Sequence, residues 1–177
     1  MSPAARRLLG LDVGDRRVGV AVADVLTAAV RPLATFQRAN PDSDARVVAR
    51  LAEEQSAGEL VIGLPLDMDG REGEQARLTR AWADQIAART GLPVSWRDER
   101  LTTAAAEAGR RRLRRLPDGT PTRSAIMARR TAVDREAAAR ILQAELDARA
   151  AIAGAPGVPH PGSTRVPESS GREERGV

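Results

Sequence analysis

Acidic residues occupy three places in the sequence from which they could act together. Asp12 lies near the end of the apolar run Leu8–Val13, which reads as a strand covered on both faces, where an isolated charge is costly. Asp98 and Glu99 follow another short apolar segment, and Asp134 stands at the start of an apolar-striped helix. Carboxylate oxygens are the ligands that hard divalent cations prefer. Convergence of the three acids would therefore create a divalent-metal site.

Each of these acids also has a purely structural interpretation. Asp12 is compatible with a turn carboxylate, and Asp134 with an ordinary helix-start residue that the helix dipole favours. A helix start is favoured by one acidic residue, but here two acids, Asp98 and Glu99, are followed directly by Arg100. The guanidinium of Arg100 could bind a phosphate, because its geometry matches phosphate oxygens. Strand alternation fails where a strand ends, so spacing alone leaves the choice between Asp98 and Glu99 open.

The residue types that are missing exclude several other chemistries. The sequence contains no Cys, which removes disulfides, thiolate zinc sites and thiol nucleophiles. Its single His, His160, lies in a Pro/Gly-rich stretch that we expect to lack order, so neither a Ser-His-Asp triad nor a His-based zinc site is expected. Carboxylates, Arg, hydroxyls and an oxygen-bound metal remain as catalytic groups.

The basic residues favour a nucleic-acid backbone as the partner. All 28 Lys and Arg residues are Arg, and five of them lie within the six positions 110–115, with Arg129 and Arg130 further along. A run of charge is usually a solvated face, but clustering near the acids predicts an electropositive surface beside the metal site. Because aromatic residues make up only 2% of the chain, base stacking should be weak. Backbone and shape recognition is the better prediction.

The elements that must position these residues follow from apolar patterning. Short apolar runs bounded by turn-formers predict five strands, at Leu8–Val13, Val18–Ala23, about 30–37, Leu60–Gly63 and Leu92–Arg97. Gly14 and Asp15 suit the tight turn between the first two. Pro32 indicates an edge position for the third. The order of strands and helices predicts an α/β domain of three layers, with one mixed sheet and helices on both faces.

Helix-type spacing predicts four helices. The first carries the stripe Val47, Val48, Leu51 and Ala52, begins at a Ser43 or Asp44 cap and stops at Gly58. The second has Leu78, Trp82 and Ile86 on its buried face and is closed by Gly91. An Ala-rich helix should follow Thr102 or Thr103. The last helix is expected over about 132–150, with Val133, Ala137, Ile141 and Leu142 buried and Asp134 at the border of that face.

Domain boundaries follow from composition. We expect a flexible N-terminus over 1–7, one domain over 8–150 and a disordered Pro/Gly-rich tail over 151–177, where little can be buried. No stretch approaches the roughly 20 apolar residues of a membrane span. A cytoplasmic protein without a membrane partner is the prediction.

Four segments resemble the YqgF family, also called RuvX, whose members are Holliday-junction-resolvase-like proteins associated with processing of pre-16S ribosomal RNA. They are LGLDVGDRRVGVAVAD (9–24), VIGLPLDMDG (61–70), DERLTT (98–103) and AVDREAAARILQAELD (132–147). The resemblance implies an RNase H-like fold and places an acidic triad on Asp12, Glu99 and Asp134. Where the family often has Lys just before its last Asp, this chain has Arg129 and Arg130 slightly earlier.

The resemblance also implies a reaction. Three clustered carboxylates raise each other's pKa without a counter-ion, and Mg²⁺ or Mn²⁺ suits their oxygens. Two such ions, roughly 4 Å apart once substrate is bound, would activate water and steady the leaving oxygen. The expected activity is endonucleolytic cleavage at the 5′ end of precursor 16S rRNA, with Arg16, Arg100, Arg129 and Arg130 binding the substrate.

Other functions are compatible with these features. A resolvase of four-way DNA would use the same chemistry, and a ribosome-assembly or transcription factor that only binds nucleic acid would keep the fold. The turn after Asp12 also resembles that of sugar-kinase-like ATPases, but those proteins need two facing domains and this chain supplies one. Nucleic acid is the expected partner, and a homodimer is compatible with it.

Overall fold

The computed structural model describes residues 6–99 and 122–154. Its strands are β1 (Arg7–Val13), β2 (Arg17–Asp24), β3 (Ala29–Gln37), β4 (Glu59–Leu64) and β5 (Val94–Asp98). They form one sheet in the order β3-β2-β1-β4-β5, in which β1 is antiparallel to β2 and parallel to β4. The predicted five-stranded mixed sheet is confirmed, and Pro32 lies on the edge strand β3, where a missing N–H is tolerated.

Helices cover both faces of this sheet. Helices α1 (Pro41–Gln55) and α2 (Glu74–Thr90) pack on one face, and α3 (Arg123–Gly154) packs on the other. Side chains alternate along each strand, so Leu9 and Leu11 of β1 join the core under α1 and α2, whereas Leu8 joins the core under α3. Full burial of each such side chain stabilises the fold by roughly 1.5–3 kcal/mol. Asp12 therefore shares the α3 face with Leu8.

Helix α1 begins earlier than predicted. Asn40 is its N-cap, and its side chain accepts a hydrogen bond from the backbone N–H of Ser43 at 2.9 Å. The prediction of Ser43 or Asp44 as the cap was wrong, because Asp44 is buried and accepts from the indole N–H of Trp82 at 3.0 Å. The helix stops at Ser56, whose φ of 53° is left-handed, rather than at Gly58. Gly91 ends α2 as predicted.

Helix α3 is longer than the predicted 132–150. It begins at Arg123 because the hydroxyl of Thr122 accepts a hydrogen bond from the N–H of Ala125 at 3.1 Å and caps the helix. It continues through Gly154, past the expected start of the tail at 151. At the other end of the domain, β1 starts at Arg7. The predicted helix after Thr102 lies outside the described residues.

Two predicted core positions are wrong. Leu78 of α2 is 55% exposed and Val133 of α3 is 50% exposed. Thr79 and Ala138, one and five residues further along, are buried instead, because the rotation of each helix is set by its packing against the sheet. Within the described ranges, none of the helices is both long enough and apolar enough to cross a lipid bilayer.

Small residues let α3 lie unusually close to the sheet. A methyl group at Gly10 of β1 would lie 2.5 Å from Cγ of Leu142, and one at Gly19 of β2 would overlap the carbonyl oxygen of Asp134. Ala138 is fully buried in this contact. The turn of α3 that carries Asp134 is therefore held directly against β2.

The close approach at Gly19 predicts a large cost for any side chain there. Gly19→Ala should lower the free energy of unfolding by about 3 kcal/mol, because the helix backbone must move to make room. Gly14→Ala is the matched control, since its methyl would lie 3.2 Å from the carbonyl oxygen of Arg17 and needs only a small shift. Urea unfolding measures both variants. Equal stabilities for the two would contradict the packing described.

Candidate functional site

Asp12 is the central acid of the α3 face. In the ladder between β1 and β2 it lies opposite Gly19, and the backbone of Asp134 rests on that glycine. Burial and, to a smaller extent, the nearby carboxylate of Asp134 raise the pKa of Asp12, Arg140 opposes them, and the resulting pKa is about 6. Asp12 and Asp134, which are far apart in the sequence, are thus brought into electrostatic contact.

Glu99 approaches Asp12 from the other side. It follows β5 directly, and its carboxylate occupies the space beside Gly63 of β4 that a methyl group there would fill. Burial and, to a smaller extent, the charges of Asp12 and Asp98 together raise the pKa of Glu99 to about 7. The structure thus places Glu99 on the α3 side of the sheet, which spacing had left open.

Arg17 is a site residue that the sequence did not single out. Its Nε donates a hydrogen bond to Oδ2 of Asp134 at 2.7 Å, and both side chains are only about a quarter exposed (26% and 21%). The predicted Arg16 is exposed instead. Alternation contained the signal: Val18 and Val20 face the core under α1 and α2, so Arg17 must face α3.

A cavity of about 390 Å³ opens between the β1–β2 turn and α3. Its lining combines acids and arginines: Asp12, Gly14, Asp15, Arg16, Arg17, Arg130 and Asp134. Arg129 and Arg130 are exposed and line a neighbouring cavity of about 320 Å³ that also reaches Asp134. Arg100 lies outside the described residues. Three of the four predicted substrate-binding arginines therefore border the site.

Asp12, Glu99 and Asp134 lie near one another, but their carboxylates do not converge on a common metal position. Among residues 6–99 and 122–154, no group of three or more Asp, Glu, His or Cys side chains is gathered tightly enough to hold a metal ion. The donor set nevertheless fits Mg²⁺ or Mn²⁺, since it consists of oxygens and the raised pKa values of Asp12 and Glu99 indicate a local shortage of positive charge. The triad stays a prediction.

A second group of charges ties α3 to the end of the sheet. Glu145 is 4% exposed and accepts hydrogen bonds from Arg97 of β5 and from Arg149, whose Nε lies 2.5 Å from Glu145 Oε1. Arg149 also pairs with Glu59 of β4. Burial would raise the pKa of Glu145, but the two arginines outweigh it and the pKa is lowered. These ion pairs fix β5, and with it the starting point of Glu99.

The raised pKa of Asp12 predicts that its charge destabilises the metal-free protein. Since the folded-state pKa exceeds the unfolded value, this cost is present above about pH 6 and disappears as the pH falls towards 4. In EDTA at about pH 8, Asp12→Asn should therefore raise the free energy of unfolding by roughly 2 kcal/mol, and by much less at about pH 4. Chemical denaturation at both pH values measures this. A variant no more stable than the wild type at the higher pH would contradict the electrostatics described.

Comparison with known proteins gives consistent relatives. A curated protein of Anaeromyxobacter sp. (strain Fw109-5), named "Putative pre-16S rRNA nuclease", is 44% identical over 143 residues, which cover 81% of this chain and 98% of that protein. A protein of the same name from Rhodospirillum rubrum is 43% identical over 146 residues, which cover 82% and 86% of the two chains. One from Frankia casuarinae is 45% identical over 155 residues, covering 85% and 70%.

Solved structures and the family comparison agree with these relatives. The structure of Thermus thermophilus RuvC matches with a TM-score of 0.50 and 14% identity, covering 82% of this chain and 96% of that one. At that identity the likeness concerns the fold, and it confirms the RNase H-like architecture. The family described as "RuvX: Holliday junction resolvase" matches residues 6–148. The chain therefore belongs to the RuvX family, as its four sequence motifs predicted.

Proposed function

We propose that this protein is a metal-dependent endonuclease that hydrolyses phosphodiester bonds in precursor 16S rRNA, at its 5′ end. The observation that carries the proposal is the position of Asp12: a carboxylate largely buried in the central region of the sheet, coupled to acids from two other elements and bordered by arginines. Curated relatives above 40% identity carry the name of a nuclease acting on this RNA. Cytoplasmic location is part of the proposal.

The acids would hold the metal. Asp12, Glu99 and Asp134 present oxygens from β1, the end of β5 and α3. A cation among them would offset the burial and the mutual repulsion that raise the pKa of Asp12 and Glu99. We propose that two ions of Mg²⁺ or Mn²⁺ bind together with the substrate. They would activate water and stabilise the leaving oxygen. The protein's contribution is to fix the acids on rigid elements, through the Gly19 contact and the Glu145 ion pairs.

The arginines would hold the nucleic-acid backbone. Arg16, Arg129 and Arg130 are exposed around the acids, and their guanidinium groups match phosphate oxygens. Arg100, directly after Glu99 in the sequence, is proposed for the same role. Such contacts position a strand without reading its sequence.

The aromatic residues are placed where they cannot stack on bases at this site. Trp82, Trp96 and Phe36 all pack in or against the core under α1 and α2, on the face of the sheet opposite the acids. Trp82 is bonded to Asp44, and the guanidinium of Arg80 lies 4.6 Å from the ring centre of Trp96. We therefore infer recognition of backbone and shape rather than of unpaired bases.

Cleavage of four-way DNA is the second candidate, favoured by the description of the matching family as Holliday junction resolvases. Both substrates place phosphate groups against the same acids and arginines. A comparison of precursor 16S rRNA with a synthetic four-way DNA junction, at equal protein and Mn²⁺, separates the two. Preference for the junction would replace the ribosomal RNA proposal while keeping the nuclease chemistry.

The acids predict a specific pattern of lost cleavage. Asp12→Asn and Asp134→Asn should each lower the rate of precursor rRNA cleavage at least about a hundredfold, because each removes a charged oxygen ligand. Asp147→Asn is the control, since this exposed residue of α3 makes the same chemical change and its carboxylate bonds only to Gln143 among the contacts described. Single-turnover gel assays measure the rates. Full activity in Asp12→Asn would refute the proposed mechanism.

The basic rim predicts a salt signature. Arg130→Gln should weaken binding to RNA of any sequence and lower the slope of log affinity against log salt by about 1, as expected for one lost phosphate contact. Arg50→Gln, an exposed residue of α1 paired with Glu54, controls for the change in net charge and should leave the slope unchanged. Fluorescence anisotropy over a range of KCl concentrations measures both. Identical slopes for the two variants would remove Arg130 from the interface.

A further inference from the structure

The side chain of Arg17 is bonded to one of the candidate metal ligands, Asp134, at the border of a cavity. Its Nε is bonded to Oδ2 of Asp134 at 2.7 Å, and the cavity that it lines also holds Asp12, Arg16 and Arg130. Asp134 is therefore not a free ligand in the described structure, since one of its oxygens already accepts from a cation. Any metal ion that uses this oxygen must weaken the bond to Arg17.

The backbone around Arg17 is fixed, but its guanidinium has room to move. The carbonyl of Arg17 accepts from the N–H of Gly14 at 2.9 Å, which closes the β1–β2 turn, and its Cα is paired with Gln37 of β3. The side chain itself is 26% exposed and borders open cavity space. A rotation about side-chain bonds can therefore carry the guanidinium from Asp134 into the cavity while the turn stays in place.

We propose that Arg17 is an exchangeable counter-ion: it neutralises Asp134 while no metal is bound, and binds a substrate phosphate once metal takes that carboxylate. This inference rests on the proposed metal site at Asp12 and Asp134. A divalent ion beside Asp134 repels the guanidinium, and the phosphate that enters with the substrate offers it the bidentate partner it has lost. Without metal, the guanidinium of Arg17 reduces the repulsion between the carboxylates. With metal and substrate bound, it lies beside the incoming phosphate.

The exchange predicts opposite effects of one substitution. Arg17→Gln removes the cation that competes for Asp134, so Mn²⁺ should bind roughly three- to tenfold more tightly. The same change removes a phosphate ligand, so a short phosphorothioate RNA should bind the variant roughly tenfold more weakly than the wild type in Mg²⁺. In EDTA, the RNA should bind the two proteins nearly equally. A residue that only stabilises the fold would not tighten metal binding while weakening RNA binding.

The experiment is titration calorimetry with Mn²⁺ and anisotropy with that RNA, on the wild type, Arg17→Gln, Arg17→Lys and Arg16→Gln. Arg17→Lys keeps the charge and should restore near-wild-type Mn²⁺ affinity. Arg16→Gln removes a charge from the same turn without touching Asp134, and should weaken RNA binding with little change in Mn²⁺ affinity. Circular dichroism verifies that each variant is folded, and Arg17→Met, which also removes the charge, replaces the Gln variant if that variant does not fold.

The outcomes separate this inference from the function on which it rests. If the wild type binds Mn²⁺ and Arg17→Gln binds it with equal or lower affinity, the exchange is overturned, while the proposed metal site stands. Tighter Mn²⁺ binding with unchanged RNA affinity in Mg²⁺ would overturn the phosphate step. If the wild type binds no Mn²⁺, both the exchange and the proposed metal site fail.

Discussion

The close packing of α3 on the sheet is the constraint from which the candidate site follows. Gly10, Gly19 and Gly63 lie on the three neighbouring strands β1, β2 and β4, and a methyl group on any of them would collide with α3 or with Glu99. Glycine at these positions buries no side chain, but it allows α3 and Glu99 to lie close to the strands. That proximity brings a carboxylate of the helix to the strand that carries Asp12.

The acids between α3 and the sheet show two ways in which the fold treats buried charge. Glu145 is matched by two arginines and its pKa is lowered, as in an ion pair that serves structure. Asp12 and Glu99 are not compensated to that degree, and their pKa values are raised to about 6 and about 7. Stability alone would favour neutral side chains there. Under-compensated carboxylates beside exposed arginines are typical of a site that binds a cation and an anion together.

Much of the fold was predictable, because apolar runs and turn residues specify strands locally. The acids could be identified one by one, since Asp12 and Glu99 lie at strand ends and Asp134 lies in an apolar-striped helix. The predicted position of Asp134 at the start of that helix was wrong, because α3 begins at Arg123. Their mutual arrangement could not, because it depends on the rotation of α3, and Val133 shows that this rotation was misjudged. Arg17 pairs with Asp134, 117 positions away, and Arg97 pairs with Glu145, 48 positions away. A single sequence carries no local signal for such distant pairs. Arg17 alone was recoverable, from strand alternation.

The most direct test of the account is a titration of the side-chain carboxyl groups by carbon-13 NMR, in EDTA and again in excess Mg²⁺. Asp12 and Glu99 should titrate near pH 6 and pH 7 without metal, and both midpoints should fall by at least about one unit when Mg²⁺ is present. Ordinary midpoints for Asp12 and Glu99 that do not respond to Mg²⁺ would contradict the claim that these acids form a cation site.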